Sequence, residues 1–191
     1  MHLTRLLAAA LSQSKKAWAG TLAAAVMALA ATSALADPPG RVGRVAESYG
    51  SVWLADDQRG EWIAANRNRP VTSGDRLSLQ PGARAVVHIG SATLRLDGDT
   101  ELEVLQMDDR NVRLHLHSGS AALQLPSSDS AREFEISTVE GRVMTLQRAH
   151  LRVDRRQNTS LITAWDGSLR FESHDSSLDI AQGQRAELWQ E

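Results

Sequence analysis

Apolar and polar residues alternate with a period of two through most of residues 37–191, and this pattern limits the possible folds more than any other feature. The segments that show it most clearly are 83–89, 101–104, 112–117, 133–136, 151–154 and 169–172. Successive side chains of a strand point to opposite faces of a sheet, so each segment predicts a strand with one buried and one exposed face. Such strands are typical of antiparallel sheets. We therefore predict an all-β fold of about a dozen short, mainly antiparallel strands.

Turn residues divide these segments and suggest how the strands are grouped. A glycine opens many of the predicted strands, and Gly119 is expected to open one of its own. About two strands follow each such glycine, a rhythm that fits a sandwich-like or a solenoid-like arrangement equally well. The two longest predicted loops are 55–68 and the Ser-rich segment 126–132. We predict a β-domain whose N-terminal part is 37–125 and whose continuation is 126–191.

Residues 1–36 have the composition of a secretory signal peptide. They contain the basic residues Arg5, Lys15 and Lys16, no acidic residue, an Ala/Leu-rich stretch, and a small-residue motif that ends at Ala36. This pattern predicts an N-terminal signal helix, cleavage after Ala36 and a location outside the cytoplasm. The alternative is that residues 17–36 stay as an uncleaved membrane anchor, since a spanning helix needs about 20 residues.

The charge and cysteine content of residues 37–191 limit the partners and the covalent links that this region can have. This region has 18 arginines, no lysine and 23 acidic residues, a formal charge of −5. A net negative charge argues against binding nucleic acid or an anionic membrane through bulk attraction. The chain has no cysteine, so neither disulfides nor a cysteine-linked lipid can contribute.

A series of blocks in this region resembles a known family. They are the segment 37–45, Gly50-Ser-Val, Trp62, the block 69–77, Gly82-Ala-Arg-Ala, 90–98, 105–110, Ser118-Gly-Ser, 134–143 and Leu151-Arg-Val-Asp. In order and spacing these blocks are similar to the FecR-like domain of bacterial envelope proteins. The resemblance implies an all-β periplasmic module that, in well-understood members, relays a signal from an outer-membrane transporter to a membrane-anchored regulator of a sigma factor.

The sequence departs from such regulators at its N-terminus. Only 16 residues precede the apolar stretch, whereas the resemblance implies a cytoplasmic segment of domain size. We therefore expect a free-standing FecR-like module without the cytoplasmic anti-sigma segment.

No catalytic motif or cofactor-binding motif is recognisable, so we predict no catalytic residue, no cofactor and no enzymatic activity. His115 and His117 lie two positions apart on one predicted strand, a spacing that suits a transition metal if a third ligand is near. Two solvated histidines on an exposed face are the favoured interpretation, and no metal site is predicted.

The candidate interaction residues are Arg84, Arg95, Arg113, His115, His117, Trp62 and Trp189. The arginines belong to outward-facing charged positions that form either a docking face or ordinary cross-strand ion pairs. Large aromatic residues usually fill the core of a small β-domain, and this is the favoured interpretation for Trp62; for Trp189 core and surface are equally favoured. The leading hypothesis is a module that binds an envelope protein of unknown identity. The alternative is a peptidoglycan- or glycan-binding module that uses exposed aromatics.

Overall fold

A computed structural model of the chain describes residues 40–56 and 60–189. The predicted signal peptide and its cleavage site lie outside the described residues. Gly40–Glu191 form one compact unit, and within its described residues there are sixteen strands and one short helix. The prediction of a mostly β protein is confirmed, with more strands than expected because several of them are only two to four residues long. No helix in the described ranges is long and apolar enough to span a membrane.

The strands and the helix follow one another along the chain with short connections. They are β1 Gly43–Tyr49, β2 Val52–Ala55, β3 Trp62–Ala64, β4 Pro70–Val71, β5 Arg76–Leu79, β6 Arg84–Ile89, β7 Ala92–Leu96, β8 Glu101–Met107, β9 Val112–Leu125, α1 Ser128–Glu133, β10 Phe134–Thr138, β11 Gly141–Met144, β12 Ala149–Arg156, β13 Thr159–Asp166, β14 Leu169–Glu172, β15 Ser177–Ile180 and β16 Arg185–Trp189.

The strands form one continuous mixed sheet that divides into two halves, both of which contain β9. We call the half with the strand order β4-β1-β6-β7-β9-β12-β13-β16 sheet 1. We call the half with the order β3-β2-β5-β8-β9-β10-β11-β14-β15 sheet 2. Among the described strands, β9 and β10 are the one parallel pair, so the expected antiparallel pairing predominates.

Strand β9 belongs to both halves because the alternation of core-facing and outward-facing residues along it shifts by one position at Gly119. Before this glycine the residues that belong to the hydrophobic core are Val112, Leu114 and Leu116, and after it they are Ala121, Leu123 and Leu125. Gly119 has a φ of +86°, which L-residues rarely adopt. The prediction that Gly119 opens a new strand was wrong, since a single strand of 14 residues runs through it.

The buried faces of both halves contribute to one hydrophobic core. The core is aliphatic, with Phe134 and Phe171 as its buried aromatic rings. The expectation that tryptophans fill it was wrong: the exposed fractions are 38% for Trp53, 44% for Trp62, 44% for Trp165 and 64% for Trp189. The core is therefore built from alternating Leu, Val, Ile and Ala, and the indoles lie on the surface.

Both segments that the sequence predicts as long loops contain regular structure. Trp62 belongs to β3, which pairs with β2. In the Ser-rich segment, Ser127 caps α1: its Oγ accepts a hydrogen bond from the Ser130 backbone N–H, and Ser130 Oγ accepts one from the Ser127 N–H, each at 3.2 Å. This reciprocal capping box explains how a helix of six residues forms in so polar a segment.

Candidate functional site

A row of polar side chains crosses seven neighbouring strands on the outer face of sheet 2. The pairing register places these residues side by side from β5 to β15, and we call them the polar row: Arg76, Glu103, His115, Ser137, Arg142, Glu172 and Ser177. Residues in one register position are close enough to interact across strands. The outer face of sheet 2 is therefore a connected polar surface.

Arginines and glutamates alternate at the β11–β14 end of this face. Arg142 pairs with Glu172 at 2.9 Å and with Glu135 at 3.4 Å, and Arg170 pairs with Glu172 at 3.1 Å. Hydrogen bonds donated by Arg142 and Arg170 lower the pKa of Glu172, and the bonds that Arg142 donates to Glu172 raise the pKa of Arg142. Exposed pairs of this kind contribute little to stability, so their main effect is to order the charges of the surface.

His115 and His117 form the centre of the polar surface. Ser137 Oγ donates to the Leu114 carbonyl at 3.1 Å, so it accepts from His115 Nδ1 at 2.9 Å. His117 Nε2 lies 2.8 Å from a carboxylate oxygen of Glu103, and the two imidazole rings meet edge to face at 4.5 Å. Burial and the neighbouring His117 hold the pKa of His115 below its ordinary value.

Metal binding by this pair requires a third ligand. Within the described residues there is no group of three or more His, Asp or Glu residues that could hold a metal ion. Both histidines are instead engaged by neighbouring side chains, His115 by Ser137 and His117 by Glu103.

A large concave site lies beside this surface, and we call it the acidic cleft. It has a volume of about 1010 Å³ and lies between the β10–β11 turn, the β14–β15 turn and strand β16. Its carboxylates belong to Glu135, Glu140, Glu172, Asp175 and Glu187. Arg142 is the arginine among its described lining residues, and Glu187 has no ion-pair partner in the described part of the chain. The cleft is therefore net negative.

Glu140 joins the two halves of the fold at one wall of the acidic cleft. Its side chain, 3% exposed, extends from the β10–β11 turn to accept a hydrogen bond of 2.7 Å from Ser160 of β13. Arg155 of β12 lies 3.6 Å from its other oxygen. Burial acts to raise the pKa of Glu140, but hydrogen bonding, first of all from Ser160, together with a smaller contribution from the charge of Arg155 outweighs it, and the pKa is lowered.

Strand β16 forms the opposite wall of the acidic cleft. It pairs with β13 and has no second neighbouring strand in residues 40–56 and 60–189. Trp189 lines the cleft, as does Val139 in the turn opposite, which is 48% exposed. An unpaired edge with exposed apolar side chains is a site where another chain can add a strand.

Trp53 and Trp62 line a separate hollow of about 440 Å³ together with Ser78 and Gln80. This hollow lies on the β2, β3 and β5 end of sheet 2.

On sheet 1, Arg95 contacts Gln124 at 3.3 Å, and the His150 ring meets Trp165 edge to face at 4.5 Å. Burial and the charge of Arg95 lower the pKa of His150.

The structure separates the residues that the sequence analysis selected. Arg84 and Arg95 lie on sheet 1, in β6 and β7, and Trp189 lies at the edge of that sheet. Arg113, His115, His117 and Trp62 belong to sheet 2. The selected arginines therefore do not share one sheet. Arg113 lies on the same face of β9 as His115 and His117, and the two histidine rings are in contact.

Sequence reasoning missed Trp53 and Glu140. The alternation contained a signal for Trp53, because Val52 and Leu54 are apolar and buried and so turn the residue between them outward. Nothing in the local sequence marks Glu140, since its partner Ser160 is 20 positions away.

Comparison with known proteins gives a family and a fold. The model of a family described as FecR protein matches residues 75–170, just over half of the chain. Two crystal structures of a protein from Parabacteroides distasonis ATCC 8503, described as a "putative anti-sigma factor", are similar with a TM-score of 0.51 each. Their identities are 12% and 11%, with 59% of this chain and 53% of theirs covered. At this identity the likeness concerns the fold, and it spans about half the length of those chains. No curated protein matches.

Proposed function

This chain belongs to the FecR protein family, and on that premise we propose that it is a non-enzymatic protein-binding module of envelope signalling that acts in the periplasm. The predicted signal peptide supports the location. The acidic cleft beside the β16 edge supports protein binding and carries the proposal.

The occupant we propose for the acidic cleft is an extended, basic segment of another envelope protein. Main-chain hydrogen bonds to an unpaired edge strand give affinity without sequence specificity. Specificity then comes from side chains, and the carboxylates of Glu187 and Asp175 favour Arg or Lys in the added segment. The indole of Trp189 supplies an exposed apolar contact of the kind that often dominates binding energy.

In-cell photocrosslinking tests this assignment. A photoreactive amino acid replaces Val139, which is exposed at the acidic cleft, and in a second strain it replaces Tyr49, which is 73% exposed and absent from the lining of that cleft. We expect one envelope protein to be captured from position 139 and not from position 49. Mass spectrometry of the crosslinked peptide should identify a basic segment.

A charge-matched pair of variants completes the test. Glu187→Arg reverses a charge in the acidic cleft, and Glu61→Arg makes the same change in net charge at an exposed position before β3. A synthetic copy of the captured segment should bind the purified full chain, and Glu187→Arg should weaken it at least tenfold while Glu61→Arg does not. Equal crosslinks from both positions, or equal effects of both variants, would refute the proposed site.

A further inference from the structure

Trp53 and Trp62 lie diagonally on neighbouring antiparallel strands of sheet 2. Trp53 of β2 is opposite Ala64 of β3, and Trp62 of β3 is opposite Ala55 of β2. Both indoles therefore occupy the same face, at the diagonal spacing of about 7 Å that antiparallel strands impose. The cross-strand neighbours Ala55 and Ala64 are small, and the two indoles line one hollow of about 440 Å³.

The two indoles are not used by the protein itself. The ring contacts of the described residues are His115–His117 and His150–Trp165, so Trp53 and Trp62 do not stack on each other. Within the described residues, neither indole N–H has a protein acceptor, and the side chains of Ser78 and Gln80 make no hydrogen bond. The hollow thus offers two aromatic faces and four unpaired polar groups.

This combination matches the chemistry of a sugar. The face of an indole is electron-rich, and the axial C–H groups of a pyranose carry partial positive charge, so the sugar ring stacks on it. The ring hydroxyls both donate and accept, and the amide of Gln80 and the hydroxyl of Ser78 can do both as well. The described lining residues are uncharged, and the volume of about 440 Å³ lies within the range of roughly 300–1,000 Å³ that is usual for small-ligand sites.

We propose that the hollow formed by Trp53, Trp62, Ser78 and Gln80 is a binding site for a neutral pyranose oligosaccharide. The two indoles stack on adjacent sugar rings, and Gln80 and Ser78 hydrogen bond to the hydroxyls at the rim. This site is separate from the acidic cleft, and none of its four residues lines that cleft.

Titration of the full chain, followed by the indole ¹⁵N–¹H signals, tests the site directly. The chain has five tryptophans, and each signal is assigned by replacing one tryptophan with phenylalanine. The probes are cellobiose, N,N′-diacetylchitobiose and maltose, each up to about 20 mM, well above the millimolar Kd of a shallow site. We expect saturable shifts of the Trp53 and Trp62 signals for at least one probe, while the Trp165 and Trp189 signals stay in place.

Variants separate stacking from general surface effects. Trp53→Ala and Trp62→Ala should each raise the Kd at least tenfold, Trp62→Phe should retain part of the affinity, and Gln80→Ala should raise the Kd several-fold. Trp165→Ala is the matched control, because Trp165 is as exposed as Trp62, and it should leave the Kd unchanged. The proposal is overturned if no probe moves the two signals, if all tryptophan signals move alike, or if the alanine variants bind as tightly as the original chain.

Discussion

Gly119 packs so closely against Thr100 that a β-carbon added at Gly119 would overlap both the side chain and the main chain of Thr100. The contact is reinforced by Thr100 Oγ1, which accepts a hydrogen bond of 2.9 Å from the Ser120 backbone N–H. This glycine is the point at which β9 leaves sheet 2 and enters sheet 1. The passage of β9 from one half to the other therefore depends on a position that admits no side chain.

Gly119→Ala is expected to destabilise the protein by about 2–5 kcal/mol. A positive φ costs a non-glycine residue about 1–2 kcal/mol, and overpacking adds about 1–3 kcal/mol. Gly90→Ala is the control, because Gly90 also has a positive φ, +58°, but has nothing within 4 Å of an added β-carbon. Urea unfolding measures both variants, and equal losses would show that packing against Thr100 contributes nothing.

Glu140→Ala is expected to lower the free energy of unfolding by about 2–4 kcal/mol, because it leaves Arg155, whose side chain is 14% exposed, without its carboxylate. Glu101→Ala removes an exposed ion pair with Arg76 and should cost less than about 1 kcal/mol. Thermal and urea unfolding provide the measurement. If the two variants lose the same stability, Glu140 does not hold the two halves together.

Stability should fall as the pH is lowered from about 7.5 to 5.5. The pKa of His115 in the folded protein is held below its ordinary value of 6.5 by burial first and then by the charge of His117. Between the folded and the unfolded pKa the unfolded chain binds more protons, so acidification favours unfolding. The pKa of His150 is also lowered, first of all by burial. The melting temperatures of the original chain and of His115→Gln should converge at the lower pH. A difference in melting temperature that stays constant across this range would show that His115 is not the source of the pH dependence.

The proposed protein site and the proposed sugar site should respond to different tryptophans. Trp189→Ala should reduce crosslinking from position 139 and leave sugar binding unchanged. Trp62→Ala should weaken sugar binding and leave crosslinking from position 139 unchanged. Both indoles are exposed, so neither variant should change the melting temperature by more than a few degrees. Parallel loss of both activities in either variant would show that the two sites are not independent.

Local sequence patterns were sufficient to predict most strands and their buried residues, but they did not predict where long-range contacts change the pattern. The alternation in 83–89 and 112–117 predicted which residues are buried, because the period of a strand is a property of the local backbone. It failed at Gly119, where a strand was expected to begin, because the phase change depends on contact with Thr100, 19 positions earlier. It also failed for Trp62, because pairing with β2 turned an expected loop into a strand.

The sequence by itself determined the all-β character, the inward and outward residues of most strands, and the family. The tertiary structure decided which outward residues meet. Pairing of β9 with β10 brings His115 beside Ser137, and packing of the two halves brings Glu140 to Ser160, although the members of each pair are 20 or more positions apart in the sequence. Pairing of this kind is selected by the burial of a common core, to which every strand contributes at once, so no single segment encodes it.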